Sequence, residues 1–471
     1  MFRFAAVLAA TTMLAGAAHA QTPKPQPGEP AFRALYKELV ETNTTFSAGS
    51  CTLAAERMAA RLKSAGFADS DITLFTPPDK PKDGGLVAVL PGKDPKAKAI
   101  LLLAHIDVVE AKREDWERDP FTLVEENGYF YARGASDDKA QAAIWTDLLI
   151  RLKQEGYKPR HAIKVALTCG EEGGGQVNGA AWLAANRRDL IDAAFALNEG
   201  AGGALDVAGG KPVVHNIQAG EKSSVSFRLE ATNPGGHSSR PVPDNAIYQL
   251  ARAIDGVAAY QFPVQMNDTT KAYFSKMAPI VGGEMGAAMT AIVANPNDAA
   301  ANATLSKDAN YNAILRTTCV ATQISGGHAQ NALPQRANAT INCRIFPGES
   351  PAAVRDALIK AVGDAKVEVS QPPKGRGEKT APPLTPQVVG PIEKVSNQMW
   401  PGIPVVPVLQ AGGTDAGPLI AVGIPTYGVS GIFYDPDLGR LHGLNERIGV
   451  KSLLDAREFS YRLVKLYAEA K

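Results

Sequence analysis

Apolar positions in this chain follow two rhythms, and the change from one to the other marks the elements. Phe32, Leu35, Tyr36 and Leu39 recur at helical spacing, and Leu53, Met58 and Leu62 make a second stripe that stops at Gly66. A third stripe, Ile144, Leu148 and Leu152, lies in a helix predicted over 139–155. Between the stripes stand short continuous apolar runs at 99–104, 163–167 and 193–197. Runs apolar on both faces, separated by amphipathic helices, are what a buried parallel sheet produces, so the fold class is α/β.

The texture changes near Gly220. Residues 223–230 alternate as a half-exposed strand, 245–257 have helical spacing and 336–345 alternate again. Residues 351–362 predict a helix with proline in its first turn, and 367–370 a short strand. This order predicts a small open sheet with helices on one face. A loop rich in Pro, Gly and Lys follows at 371–386, after which the α/β texture resumes through 405–409 and an amphipathic helix marked by Leu453, Ala456, Phe459, Leu463 and Leu466. The chain therefore divides into an α/β domain in two parts, 31–220 and 373–471, with an α+β domain, 221–372, inserted between them. Residues 262–315, rich in Ala, Asn and Met, are read as a helical elaboration of the inserted domain.

Length and composition agree with more than one core, since 471 residues exceed what a single core usually serves. Residues 1–20 carry Arg3, an apolar stretch from Phe4 and the ending Ala18-His19-Ala20, which predicts a secretory signal peptide; 21–30 are Pro-rich and predict a flexible leader. No later run is long enough to span a bilayer. The expectation is an exported protein, periplasmic or secreted. A formal charge of +1 argues against nucleic acid or an anionic membrane as partner. Four cysteines allow three pairings; Cys319 with Cys343, in neighbouring strand-like segments, is the pair to expect first, and Cys169 is expected to be a packing residue.

Candidate chemistry sits where the apolar runs end. The first leads into His105-Ile106-Asp107, a spacing that sends an imidazole and a carboxylate to the same side and suits a metal ligand with its orienting acid. The second leads into Glu171-Glu172 among glycines; adjacent residues point to opposite sides, so one acid has the geometry for a ligand and the other for a general base. The third ends in Asn198-Glu199-Gly200. The ends of parallel strands are where open α/β sheets place ligands. Asp137-Asp138 lies between Gly134 and the predicted helix, and is either a helix cap or a carboxylate shared between two cations. Two further histidines have suggestive settings: His237 in Gly235-Gly236-His237-Ser238, and His442 in Leu441-His442-Gly443-Leu444-Asn445-Glu446. His161, His215 and His328 are expected to have surface or packing roles.

In this order, the motifs resemble those of the M20-type zinc peptidases and deacylases, the family that includes glutamate carboxypeptidase, succinyl-diaminopimelate desuccinylase, aminoacylase and carboxypeptidase S. The resemblance implies a catalytic domain with a mixed, largely parallel sheet and an inserted lid that mediates homodimerisation. It implies two zinc ions, with cobalt or manganese as substitutes: His105 and Glu199 on one, Glu172 and His442 on the other, and Asp137 bridging across a cis Asp137–Asp138 peptide. By the same likeness Asp107 orients His105, Glu171 is the general base, and His237 polarises the scissile carbonyl, in many members from the partner subunit. Arg344, Asn331, Gly413 and Thr414 would bind substrate. One departure is Asn342, where the family commonly has Asp two residues before the arginine. The activity implied is hydrolysis of an amide in a small peptide with a free C-terminal carboxylate. The alternatives are hydrolysis of an N-acyl amino acid, or a non-catalytic binding protein on the same fold.

Overall fold

The computed structural model describes residues 25–207, 210–363, 366–370 and 380–470. The expected signal peptide, residues 21–24 of the leader and most of the 371–386 loop lie outside the described residues. The leader's last residues are not a loose tail. Pro30 stands in the first turn of the helix Glu29–Val40, where its missing N–H leaves no bond unmade. Gln26 and Pro27 are tied to the C-terminal helix Val450–Ala468, through Gln26 Nε2 to the Leu454 carbonyl at 3.1 Å and Arg457 Nη1 to the Pro27 carbonyl at 2.9 Å.

Ser50 caps the helix Cys51–Ser64 by accepting from the Leu53 amide. Leu53, expected on its buried stripe, faces outward; Ala54, Ala55, Met58, Ala59 and Leu62 close against the sheet instead. The reason is the close approach of the strand Gly85–Leu90, which favours small side chains on that face.

Among the described residues, the main sheet has ten strands, and its centre is parallel. The strands Ile163–Thr168, Ile100–His105, Phe195–Asn198 and Thr426–Gly428 lie side by side in that order, all parallel, while the pairings beyond Ile163–Thr168 are antiparallel and those beyond Thr426–Gly428 are mixed. The three expected apolar runs are thus adjacent strands. The helix Lys139–Gln154 packs on them, buried along most of its length, with the Trp145 indole donating to the Leu103 carbonyl at 3.2 Å. Arg457 on the C-terminal helix grips the buried Asp147 of that helix with two nitrogens, at 2.7 and 3.3 Å.

The strand Pro212–Glu221 belongs to the main sheet, and after the single residue Lys222 the strand Ser223–Thr232 begins a second, four-stranded antiparallel sheet. The helices Ala246–Ala259 and Pro351–Val362 cover that sheet around Phe227, Leu229, Ile341 and Leu358. Its edge strand Thr318–Gly326 is largely exposed, and Cys319 stands opposite Cys343 and is bonded to it. The helices between 268 and 315 differ from the sequence expectation. Phe274, Met289, Ile292 and Leu305 form a core of their own, and the first of these helices, Asp268–Val281, packs against the main-sheet strand Val405–Gln410. Lys276 fixes it there through the Val405 carbonyl at 2.8 Å.

Candidate metal centre

The three adjacent parallel strands deliver their chemistry to one place. His105 is the last residue of its strand; its Nδ1 lies 3.2 Å from the Asp107 carbonyl, and its Nε2 lies 3.1 Å from Asp137 Oδ1 and 3.3 Å from Glu199 Oε2. His442 Nε2 lies 3.1 Å from Asp137 Oδ2 and 2.9 Å from Glu172 Oε2. Two groups of donor atoms result, His105 with Asp137 and Glu199, and Asp137 with Glu172 and His442, and each oxygen of Asp137 belongs to a different group. The Asp137–Asp138 peptide is cis. Asp138 precedes the helix Lys139–Gln154 and makes no side-chain cap bond, so a simple helix cap is not what the acidic pair forms.

Local backbone explains how these side chains arrive. Gly170 has φ +78°, and a Cβ there would meet the Val177 carbonyl oxygen at 2.4 Å, so the turn carrying Glu171 and Glu172 requires glycine. The buried Asp107 carboxylate accepts from the amides of Glu172 at 3.1 Å and Glu171 at 3.4 Å, while its Oδ1 is 3.5 Å from His105 Nδ1. Asp107 therefore clamps the glutamate turn as well as standing beside the imidazole. His442 itself sits at φ +59°, in a loop where Leu438, Arg440 and Asn445 are also left-handed. The Cys51–Cys169 disulfide pins the start of the glutamate turn to the helix Cys51–Ser64; Cys169, expected only to pack, is covalently bonded.

Glu446 was within a quoted motif but had no role in the sequence analysis, and it supports the whole Asp137 loop. Fully buried, its carboxylate accepts from the amides of Ser136 at 2.9 Å, Asp137 at 3.0 Å and Gly134 at 3.1 Å, and pairs with Arg133 at 2.7 Å. Asp415 follows the expected substrate-binding pair Gly413 and Thr414 and had no separate role. It is buried beside the cluster and accepts from Asn178 at 2.6 Å and Thr168 at 2.8 Å. Neither acid shows in the sequence pattern, because the partners lie hundreds of residues away.

Carboxylates outnumber cationic partners here, and their proton affinities shift accordingly. Burial and the neighbouring Glu199 push Glu171 up to about 9, burial pushes Glu199 up to about 7, and burial pushes Asp415 up to about 6. Burial opposes charge on Asp137, yet hydrogen bonds from His105 and His442 hold its carboxyl well below the usual range. Hydrogen bonds to Asp137 and Glu172 push His442 up to about 10. Glu199 Oε1 and Asp138 Oδ2 are buried and lack hydrogen-bond partners. An excess of buried acid with an orphaned oxygen is what bound cations relieve, and one imidazole with two carboxylates at each position is a donor set suited to zinc.

A cavity of about 600 Å³ opens over the cluster and is lined by Asp137, Glu171, Glu172, Glu199, Gly413, Thr414 and His442, among others. The Thr414 hydroxyl donates to Glu221 at 2.8 Å, which fixes the loop. Among the described residues, the lining does not include His237, Asn331 or Arg344. His237 is exposed on the short strand Gly236–His237, where Nδ1 accepts from Ser239, and the adjacent Ser238 amide donates to the Asn331 carbonyl at 3.0 Å. Arg344 faces Ser224 and Thr318 in the second sheet. Asn342, the departure noted above, bonds Ser224 and Ser226 at 3.3 and 3.2 Å. Of the other histidines, His215 is buried against Trp400, Phe433 and Phe459, His161 bonds the Lys98 and Ala470 carbonyls, and His328 is exposed.

Residues 101–466 match the family model described as Peptidase family M20/M25/M40. The chain is 28% identical over 383 residues to the N-fatty-acyl-amino acid synthase/hydrolase PM20D1 of Xenopus tropicalis, covering 79% of this chain and 73% of that protein. It is 26% identical over 377 residues to aminoacylase-1 of Mus musculus, covering 78% and 79%. The fold is similar to that of an M20 family metallo-carboxypeptidase, Sso-CP2 from Sulfolobus solfataricus, with a TM-score of 0.67, 19% identity and coverage of 93% and 99%.

Proposed function

Since this chain belongs to peptidase family M20/M25/M40 and is a hydrolase acting on amide bonds, we propose that it cleaves N-acyl amino acids, using two zinc ions held by the paired donor groups. The observation that carries this reading is the sharing of Asp137, one oxygen to each group. The acyl amino acid is preferred because PM20D1 and aminoacylase-1, at 28% and 26% identity, both carry names that specify acylated amino acids or their hydrolysis. A small peptide, the substrate expected first from the sequence, offers the same amide and carboxylate and is the competitor to assay beside it.

In this reading His105 and Glu199 hold one ion, Glu172 and His442 the other, and Asp137 both. When bound, the ions supply Lewis acidity and make water a nucleophile near neutral pH. Glu171 lies in the cavity wall beside both groups, and cations bound there would offset the burial and acid crowding that raise its proton affinity, leaving a carboxylate able to accept a proton. Its carboxylate takes a proton from the attacking water as the water oxygen adds to the amide carbonyl. The same proton then passes to the nitrogen as the C–N bond breaks, leaving an amino acid and a carboxylic acid. Asp107 holds the glutamate turn so that Glu171 faces the cavity. Arg344, Asn331 and the Gly413-Thr414 loop are assigned to the substrate carboxylate. His237 is assigned to the carbonyl oxygen, supplied by the second subunit of a homodimer. The two disulfides support export to an oxidising compartment, the periplasm in this reading.

The test is Glu171→Gln, assayed with N-acyl amino acids and dipeptides on metal-loaded protein. Turnover should fall roughly 10²- to 10⁴-fold while the metal content stays at that of the parent. Turnover near the parental rate would overturn the assignment.

A further inference from the structure

Beside the metal-centre cavity lies a second, smaller one of about 360 Å³, which none of the chemistry above uses. Its wall includes Leu205, Pro212, Trp400, Phe433 and Ile448, and it shares Leu205, Tyr434 and Asp435 with the cavity over the metal ligands. The charged groups on its wall already have partners. Asp435 accepts from Tyr129 Oη at 3.2 Å and Arg447 at 3.3 Å, Lys451 pairs with Asp455, and the Ser452 hydroxyl serves the backbone of Phe433. A polar ligand would find no free charge there, whereas an apolar one gains by leaving water.

We propose that this cavity is the subsite for the acyl chain of the substrate, and that it selects N-acyl amino acids whose chain is a long hydrocarbon. The proposal rests on the N-acyl amino acid reading above and deepens it. The occupant follows from position and chemistry together. A substrate whose amide lies over the metal ligands has its amino-acid portion on one side of the carbonyl and its acyl group on the other, and the adjoining space is lined by apolar side chains and paired charges. Pockets of this size suit a hydrocarbon chain, and each methylene moved from water into such a site strengthens binding by up to about fourfold.

The experiment measures binding directly, by titration calorimetry of the zinc-loaded Glu171→Gln full-length chain with N-acetyl-, N-octanoyl- and N-dodecanoyl-leucine. The expected result is a Kd that falls roughly two- to fourfold per added methylene until the cavity is full, with an increasingly negative heat-capacity change. Two blocking variants complete it. Gly449 lines the cavity, and a Cβ there meets nothing nearer than 3.6 Å, so Gly449→Phe fills the space without a backbone clash; Leu205→Trp adds bulk at a residue that lines both cavities. Either variant should flatten the dependence on chain length. Equal affinity for all three ligands, or a slope that survives in both variants, overturns the proposal. The parent enzyme assayed with the same series separates the two readings. Hydrolysis of the acetyl compound with no gain from the longer chains removes the subsite and keeps the activity, whereas chain-dependent binding with no hydrolysis of any member keeps the subsite and removes the activity.

Discussion

Glu446 shows what a single side chain contributes beneath a site. It neutralises Arg133 and receives three amides from the loop that carries Asp137, all without exposure to water. Replacing it by Ala leaves a buried guanidinium and three unmet N–H groups. Stability should fall by about 3–5 kcal/mol in urea unfolding, and metal content with it, while Glu446→Gln should lose less of both. Its residue type was legible in the sequence, but its task was not, because acceptance of backbone amides some 310 positions away leaves no periodic trace. His215 was legible as a packing residue, and its burial has a consequence for pH. Desolvation pushes the imidazole down to about 4 from an ordinary 6.5. Above pH 6.5 it is neutral whether folded or unfolded; as pH falls toward 4 only the unfolded chain takes up the proton, so stability is lost across that window. Between pH 7 and pH 5 this group should account for roughly 2 kcal/mol, seen as a smaller loss in His215→Gln than in the parent protein.

Among the elements, the three apolar runs were the most legible part of the fold. A strand buried on both faces has no choice of register with respect to water, so its composition alone announces it. The acids and histidine at the ends of those strands were legible for the same reason, since strand termini locate whatever follows them. Elements whose partner decides their face were harder to read. Leu53 continued a stripe in sequence but was turned out by the alanines beside it, and the helices between 268 and 315 took the main-sheet strand Val405–Gln410 as their support rather than the inserted sheet. The turn bearing Glu171 and Glu172 owes its place to three attachments: the glycine at 170, the Asp107 carboxylate and the bond from Cys169 to Cys51. Changing both cysteines of that bond to serine should cost about 2–4 kcal/mol in denaturant unfolding and lower kcat, because the turn carrying Glu171 loses one of its anchors. A double variant with parental kcat would mean that Asp107 holds the turn unaided.

For the molecule as a whole, the acid-rich centre joins elements drawn from residue 105 to residue 446, so cations bound there act on the entire α/β body. Chelation should lower the unfolding temperature, and zinc, cobalt or manganese should restore it in a concentration-dependent manner, as expected of ligands that bind only the folded state. The exposed His237, outside the cavity of its own chain, gives a test of assembly. Mixing inactive His237→Ala with inactive Glu171→Gln should regenerate activity if one subunit completes the other, and no recovery after subunit exchange would place His237 in its own chain's site. The Cys51–Cys169 bond has a consequence of a different kind, for connectivity. It turns the segment from 51 to 169 into a covalent ring that contains His105 and Asp137, while Glu172, Glu199 and His442 belong to the tail that leaves it. A protease that cuts once in the exposed stretch 112–115 opens the circle without detaching anything. The nicked protein should migrate as one chain on a non-reducing gel and as two pieces only after a thiol is added, with both halves of its ligand set still linked until then.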